Sequence, residues 1–187
     1  MRYVFLLFVI LPLFGFSQFT DDFSDGTFTD NPEWVGDTSK FIVNGVNELQ
    51  LYDTAKVSPS ILVTQSQAIG DASWEFLVHF GFNPSSANLA DVYIVSDSDD
   101  LSGSLNGYFV RIGDTSDDVS LYRKDGSSQT KIIDGTDKRL ASDPVILRVL
   151  VKRDFDGNWE LYSDTTGGRN YYHEGTAFDD TDTNSES

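Results

Sequence analysis

Few residues in this 187-residue chain are of types that do covalent chemistry. It has no cysteine and two histidines, His79 and His173. Disulfide staples, thiolate metal sites and a cysteine nucleophile are therefore excluded. A serine triad needs a histidine beside its nucleophile, and the chain has no Gly-x-Ser-x-Gly elbow. His79 reads as an outward strand residue, and His173 lies near a frayed end. A sugar hydrolase needs two carboxylates, about 5 Å apart in the retaining class. Residues i and i+2 share a strand face, so an E-x-D-x-x-E pattern would signal such a pair, and it is absent. Glu48, Glu75, Asp91 and Glu160 are isolated strand acids, and Glu75 and Glu160 could meet only if their strands paired. The expected protein is not an enzyme.

Acidic clusters raise the question of calcium, which takes six to eight oxygens from carboxylates, carbonyls and water. They fall at Asp21-Asp22-Phe23-Ser24-Asp25-Gly26, Asp97–Asp100 and Asp114–Asp118, and none matches the twelve-residue calcium loop. A structural calcium at Asp22 and Asp25 is the one cofactor expectation. The other clusters read as solvated turns, and Asp154-Phe155-Asp156-Gly157 as a hairpin turn.

Aromatic residues offer the remaining chemistry, because sugar rings stack on exposed ring faces beside polar groups. Residues 91–134 read as four strands joined by short turns, hence neighbours in one sheet. Their outward candidates are Tyr93, Phe109, Arg111, Tyr122 and Lys124, and the expected ligand-binding residues are Tyr93, Arg111 and Tyr122. The competing expectation has the rings packed under loops and Arg111 bonded to a neighbouring carboxylate. Trp34, Trp74 and Trp159 read as core or edge packing.

The elements that must position these residues are strands. Trp74, Phe76, Val78, Phe80 and Phe82 alternate with Glu75, Leu77 and His79, and Val145, Leu147, Val149 and Val151 alternate likewise. Further strands are expected at 40–43, 48–52, 60–65, 91–96, 107–113, 119–123, 130–133, 158–163 and 170–174. Asn44-Gly45, Asp125-Gly126, Asp134-Gly135, Asp156-Gly157 and Gly167-Gly168 supply turns. No window carries a helical stripe, so the expected fold is an all-β antiparallel sandwich or barrel.

Composition agrees. Asp+Glu total 30 against 13 Lys+Arg, for a net charge of −17, and 24 of the acids are Asp. Asp favours turns, whereas Glu favours helices. Nucleic-acid binding is disfavoured for want of clustered cations. Met1-Arg2, the apolar run Tyr3–Phe14 and Gly15-Phe16-Ser17 form the three-part pattern of an export signal. Cleavage after Ser17 would leave no stable membrane insertion. The division expected is a signal at 1–17, a sandwich at 18–178 and an acidic tail or truncated continuation at 179–187.

Asp22-Phe23-Ser24-Asp25-Gly26, Trp34-Val35-Gly36-Asp37, Leu101–Gly113 with Val119–Arg123, and Gly157-Asn158-Trp159-Glu160-Leu161-Tyr162 carry a resemblance over residues 19–178. Together they resemble the N-terminal concanavalin A-like (laminin G-like) jelly-roll module of large secreted bacterial surface proteins, which often carry lamin-tail-like and C-terminal sorting domains downstream. The resemblance implies a jelly roll whose last strand or two, ending in an F-x-F-D-D-F-like segment, would lie beyond Ser187. The expected chain thus lacks its closing strands. Some similar proteins hold calcium where the terminal strands meet, and Asp22 matches that region. The hydrolase members' acid motif is absent. The function expected is a non-catalytic exported recognition module, secreted or at the cell surface, with an extracellular glycan as partner. The alternatives are a structural spacer or protein-adhesion module and, third, a polysaccharide-degrading enzyme.

Overall fold

The computed structural model describes residues 20–53 and 59–181. The expected signal segment and the end of the acidic tail lie outside the described residues. Among those described there is no α-helix, and all strand pairings are antiparallel. The chain is an all-β sandwich, as its period-two patterning requires.

One sheet is a meander of β6 (Ala90–Ser96), β7 (Leu105–Gly113), β8 (Asp118–Gly126) and β9 (Ser128–Ile133), each beside its neighbour in sequence. This is the four-strand arrangement expected for residues 91–134. The second sheet runs β12 (Tyr172–Phe178), β11 (Asn158–Asp164), β10 (Val145–Arg153), β5 (Ala72–Phe80). The chain enters the second sheet at β5, builds the meander, then returns to lay β10 against β5. Two short ribbons precede the sandwich. They pair β1 (Val35–Gly36) with β4 (Leu62–Val63), and β2 (Phe41–Val43) with β3 (Leu49–Leu51).

Alternation decides which side chains fill the space between the sheets. Val145, Leu147, Val149 and Val151 of β10 meet Trp159 and Leu161 of β11, and across the sandwich Tyr108, Val110, Ile112, Val119 and Leu121. Tyr108 and Trp159 lie 4.4 Å apart between ring centroids, and Trp159 stacks on Trp74 at 5.9 Å. The expectation that tryptophans serve packing is met at both. Gly107 lets β7 pass a bulge in β6 between Tyr93 and Val95, because a Cβ there would lie 2.1 Å from the Val95 carbonyl oxygen.

Several details differ from expectation. β5 ends at Phe80, so Phe82 leaves the strand face and rests edge-on against Phe80. The β8–β9 turn falls at Gly126-Ser127, one residue later than Asp125-Gly126, since Asp125 already pairs with Ser128. Asp134-Gly135 is no hairpin turn but the start of the crossing to β10. Glycine is required there because a Cβ would lie 1.9 Å from the Val119 carbonyl oxygen. Asp179 is no part of a solvated tail. It is buried, accepts hydrogen bonds from the Tyr108 hydroxyl and Arg123, and its carbonyl accepts from Trp159 Nε1.

Candidate functional site

The outer face of the meander sheet gathers every residue expected to bind a ligand. Tyr93, Phe109, Tyr122 and Lys131 are successive register partners across β6, β7, β8 and β9. Their rings stand side by side like books, at 4.9 Å and 27° for Tyr93–Phe109 and 5.2 Å and 11° for Phe109–Tyr122. Strand spacing is about 4.8 Å, so adjacent strands impose this separation. The ring faces are consequently turned toward one another. Phe109, although on the outward side, is 0% exposed.

Cations close the remaining ring faces. Arg111 lies 5.3 Å from the Phe109 centroid and 5.0 Å from Tyr122, Lys124 lies 5.8 Å from Tyr93, and Lys131 5.7 Å from Tyr122. Arg111 also donates Nε–H and Nη2–H to the two Asp91 carboxylate oxygens at 2.8 and 2.7 Å, which strengthens its hold on the proton. Lys131 bridges Asp118 and Asp134, and these two carboxylates raise its pKa against the effect of burial. Burial raises the Tyr93 hydroxyl as well. The structure thus brings Tyr93, Arg111 and Tyr122 together but engages them with one another and with Asp91. Sequence periodicity places these residues on one face; it does not reveal that ring rows on adjacent strands turn edge-on.

The outer face of the second sheet is different. Thr176, Glu160, Lys152 and Ser73 form one row across its four strands, and His173, Tyr162, Leu150 and Glu75 the next. Beyond the first row Phe178 sits opposite Asn158 and is 66% exposed. A groove of about 910 Å³ opens here, lined by Ser73, Lys152, Asn158, Glu160, Thr176 and Phe178 among others. Tyr162 meets His173 at 5.0 Å and 49°, and Lys152 Nζ lies 5.2 Å from its centroid. Groove and aromatics sit on a four-stranded floor.

Glu75 anchors the far side of this face. Arg169 grips its carboxylate, the Tyr171 hydroxyl donates to it at 2.8 Å, and Arg148 at 3.1 Å. The Arg169 hydrogen bonds above all hold Glu75 at about 2, well below the usual carboxylate range, while burial and then the Glu75 contact push Tyr171 up to about 12. Arg169 stands on a loop tied down by Asp164, which accepts from the Thr166 and Asn170 amides. Glu75 and Glu160 do not meet, because β10 lies between their strands and their Cα atoms are about 12 Å apart on sheet spacings.

At the other expected site, the Asp22 carboxylate accepts from the Ser24 amide and that of Asp25 from the Thr27 amide. Among the described residues no group of three or more histidines or carboxylates converges as a metal would need. Compared with known proteins, the chain matches no family model, no curated protein and no solved structure.

Proposed function

We propose that this chain is a non-catalytic exported module of the concanavalin A-like type, secreted or held at the cell surface, that recognises an extracellular glycan. The observation that carries this reading is Phe178, a largely exposed ring beside a groove lined by hydroxyl, amide, amine and carboxylate groups. A sugar needs such a combination: an apolar ring for its C–H face and donors and acceptors for its hydroxyls. The binding surface is placed on the second sheet, where the Phe178 ring is largely exposed, and not on the interlocked row of Tyr93, Phe109 and Tyr122. The clamp by Arg169, Tyr171 and Arg148 fixes the Glu75 carboxylate in place as a hydrogen-bond acceptor on the same face.

A glycan array probed with the secreted chain tests the reading, followed by titration of any captured polysaccharide. Phe178→Ala should weaken binding about tenfold, the worth of one lost stacking contact. Capture of no glycan, or an affinity indifferent to this substitution, refutes it. The closed face of the meander sheet favours a second reading, a protein-binding or spacer module, which predicts no polysaccharide capture.

A further inference from the structure

We propose that the open side of the sandwich, along the free edge of β5, receives one extended strand donated by another polypeptide, with apolar side chains at alternate positions and one carboxylate seated on Arg153. Three independent features of the chain meet there.

The first is the edge. Among the described residues β5 pairs with β10 alone, and its nine residues, Ala72–Phe80, contain no bulge, proline or lysine. Sheet edges are ordinarily blunted by such devices, and an unblunted edge is a template for another strand.

The second is an incomplete core. Trp74, Phe76 and Val78 of β5 are only partly buried, while their register partners Val151, Val149 and Leu147 are fully buried. In the meander sheet Ala90, Val92 and Val95 of β6 are likewise partly buried. β9 lies against β12 and β8 against β11, which places β6 on the side of β5. The opposite side is shut. There Ile133 packs at Gly175, and buried Glu174 accepts from Arg139, Ser163 and the Thr136 amide. Among the described residues one long side of the sandwich is thus sealed and the other is not.

The third feature points to a carboxylate. Trp74 Nε1 and Arg153 Nε and Nη2 are buried donors without an acceptor, and Arg153 is 3% exposed. Arg153 uses Nη1 on the Ile69 carbonyl. Its idle Nε–Nη2 edge is the one that Arg111 presents to both oxygens of Asp91. Such an edge is shaped for a two-pronged carboxylate contact. Trp74 pairs with Val151 and Ala72 with Arg153, so the idle donors lie diagonally adjacent on the core side of β5 and β10, at one end of the open edge.

The occupant follows from these features. The β5 backbone asks for an extended partner, the core for apolar side chains on one face of it, and Arg153 for one acid on that same face. A second copy of β5 does not fit, since its core-facing residues, Trp74, Phe76, Val78 and Phe80, include no carboxylate.

Hydrogen exchange read by NMR, with a synthetic peptide as probe, tests the proposal. The probe is nine residues of alternating Val and Thr, with Asp at the first or the last apolar position to cover both strand directions. In the free protein every second β5 amide should exchange rapidly. Adding an Asp peptide should protect those amides and shift the Trp74 indole and Arg153 Nε resonances. The matching Asn peptide should bind at least about tenfold more weakly, the worth of one charge-assisted hydrogen bond. Arg153→Met should abolish that preference while leaving the Asn peptide's affinity unchanged. The proposal is overturned if both sets of β5 amides are already protected in the free protein, if no peptide binds, or if Asp and Asn peptides bind alike.

Discussion

Phe109 shows how a residue's neighbours outweigh its place in a pattern. Alternation puts it on the outer face of β7, yet Tyr93, Tyr122 and Arg111 enclose it completely. Truncating it would leave a void between two rings that themselves lean on it. Phe109→Ala should therefore cost about 3–5 kcal/mol, as for a core phenylalanine, measured by urea denaturation. A loss below about 1 kcal/mol would show that the ring row is not packed as described. Glu75 invites a different measurement. Its folded pKa, about 2, lies below the ordinary value of 4.5. A depressed carboxylate contributes stability above its unfolded pKa and loses it as pH falls through the folded one. The stability gap between wild type and Glu75→Gln should thus be constant above about pH 5 and close between about pH 4.5 and 2. Because the pair is partly exposed, the gap should be only about 1 kcal/mol. A gap that is independent of pH would mean that the Arg169 clamp does not form.

At the scale of the strands, two arginines make a matched comparison. Arg111 on β7 and Arg153 on β10 both lie beside aromatic rings, but only Arg111 has a carboxylate on its Nε–Nη2 edge. Removing the first strands Asp91, and removing the second strands nothing charged. Arg111→Met should therefore destabilise by about 2–4 kcal/mol, whereas Arg153→Met should be neutral or stabilising by about 1 kcal/mol in the isolated chain. Melting temperatures of the two variants test this, and a strongly destabilised Arg153→Met would place an unseen acceptor beside it. The strands themselves are legible from sequence because period-two alternation in β5 and β10 sets their inward faces directly. What alternation cannot carry is pairing at a distance. The contact of Glu75 with Arg148, Arg169 and Tyr171 joins three separate segments, and the burial of Asp179 depends on Tyr108 and Arg123 far earlier in the chain. The ribbon strand Val35–Gly36 escapes notice because two residues cannot display a period.

For the molecule as a whole, the excess of aspartate acquires a spatial meaning. Turn aspartates bond their own backbone, as Asp22, Asp100, Asp154 and Asp164 do with amides two residues on. Cations instead occupy the sheet faces: Arg111, Lys124 and Lys131 on one, Arg148 and Lys152 on the other. Many of the acids therefore sit in turns and loops; some meet cations there, as Asp37 and Asp53 meet Lys40 and Asp134 meets Lys131, but the excess of acid over base repels across solvent. With 30 acids against 13 bases, repulsion outnumbers attraction, and the attractive pairs that matter are close contacts that salt screens least. Added salt should consequently stabilise the fold. Raising sodium chloride from about 10 mM to 150 mM shortens the screening length from about 30 Å to about 8 Å, which removes loop-to-loop repulsion while sparing contacts under 4 Å. The melting temperature should rise by a few degrees, corresponding to about 1 kcal/mol for a chain of this size. Potassium sulfate at equal ionic strength should match the screening part of the gain. A melting temperature that falls with salt would mean that the face cations, not the crowded turns, dominate the electrostatic energy of folding.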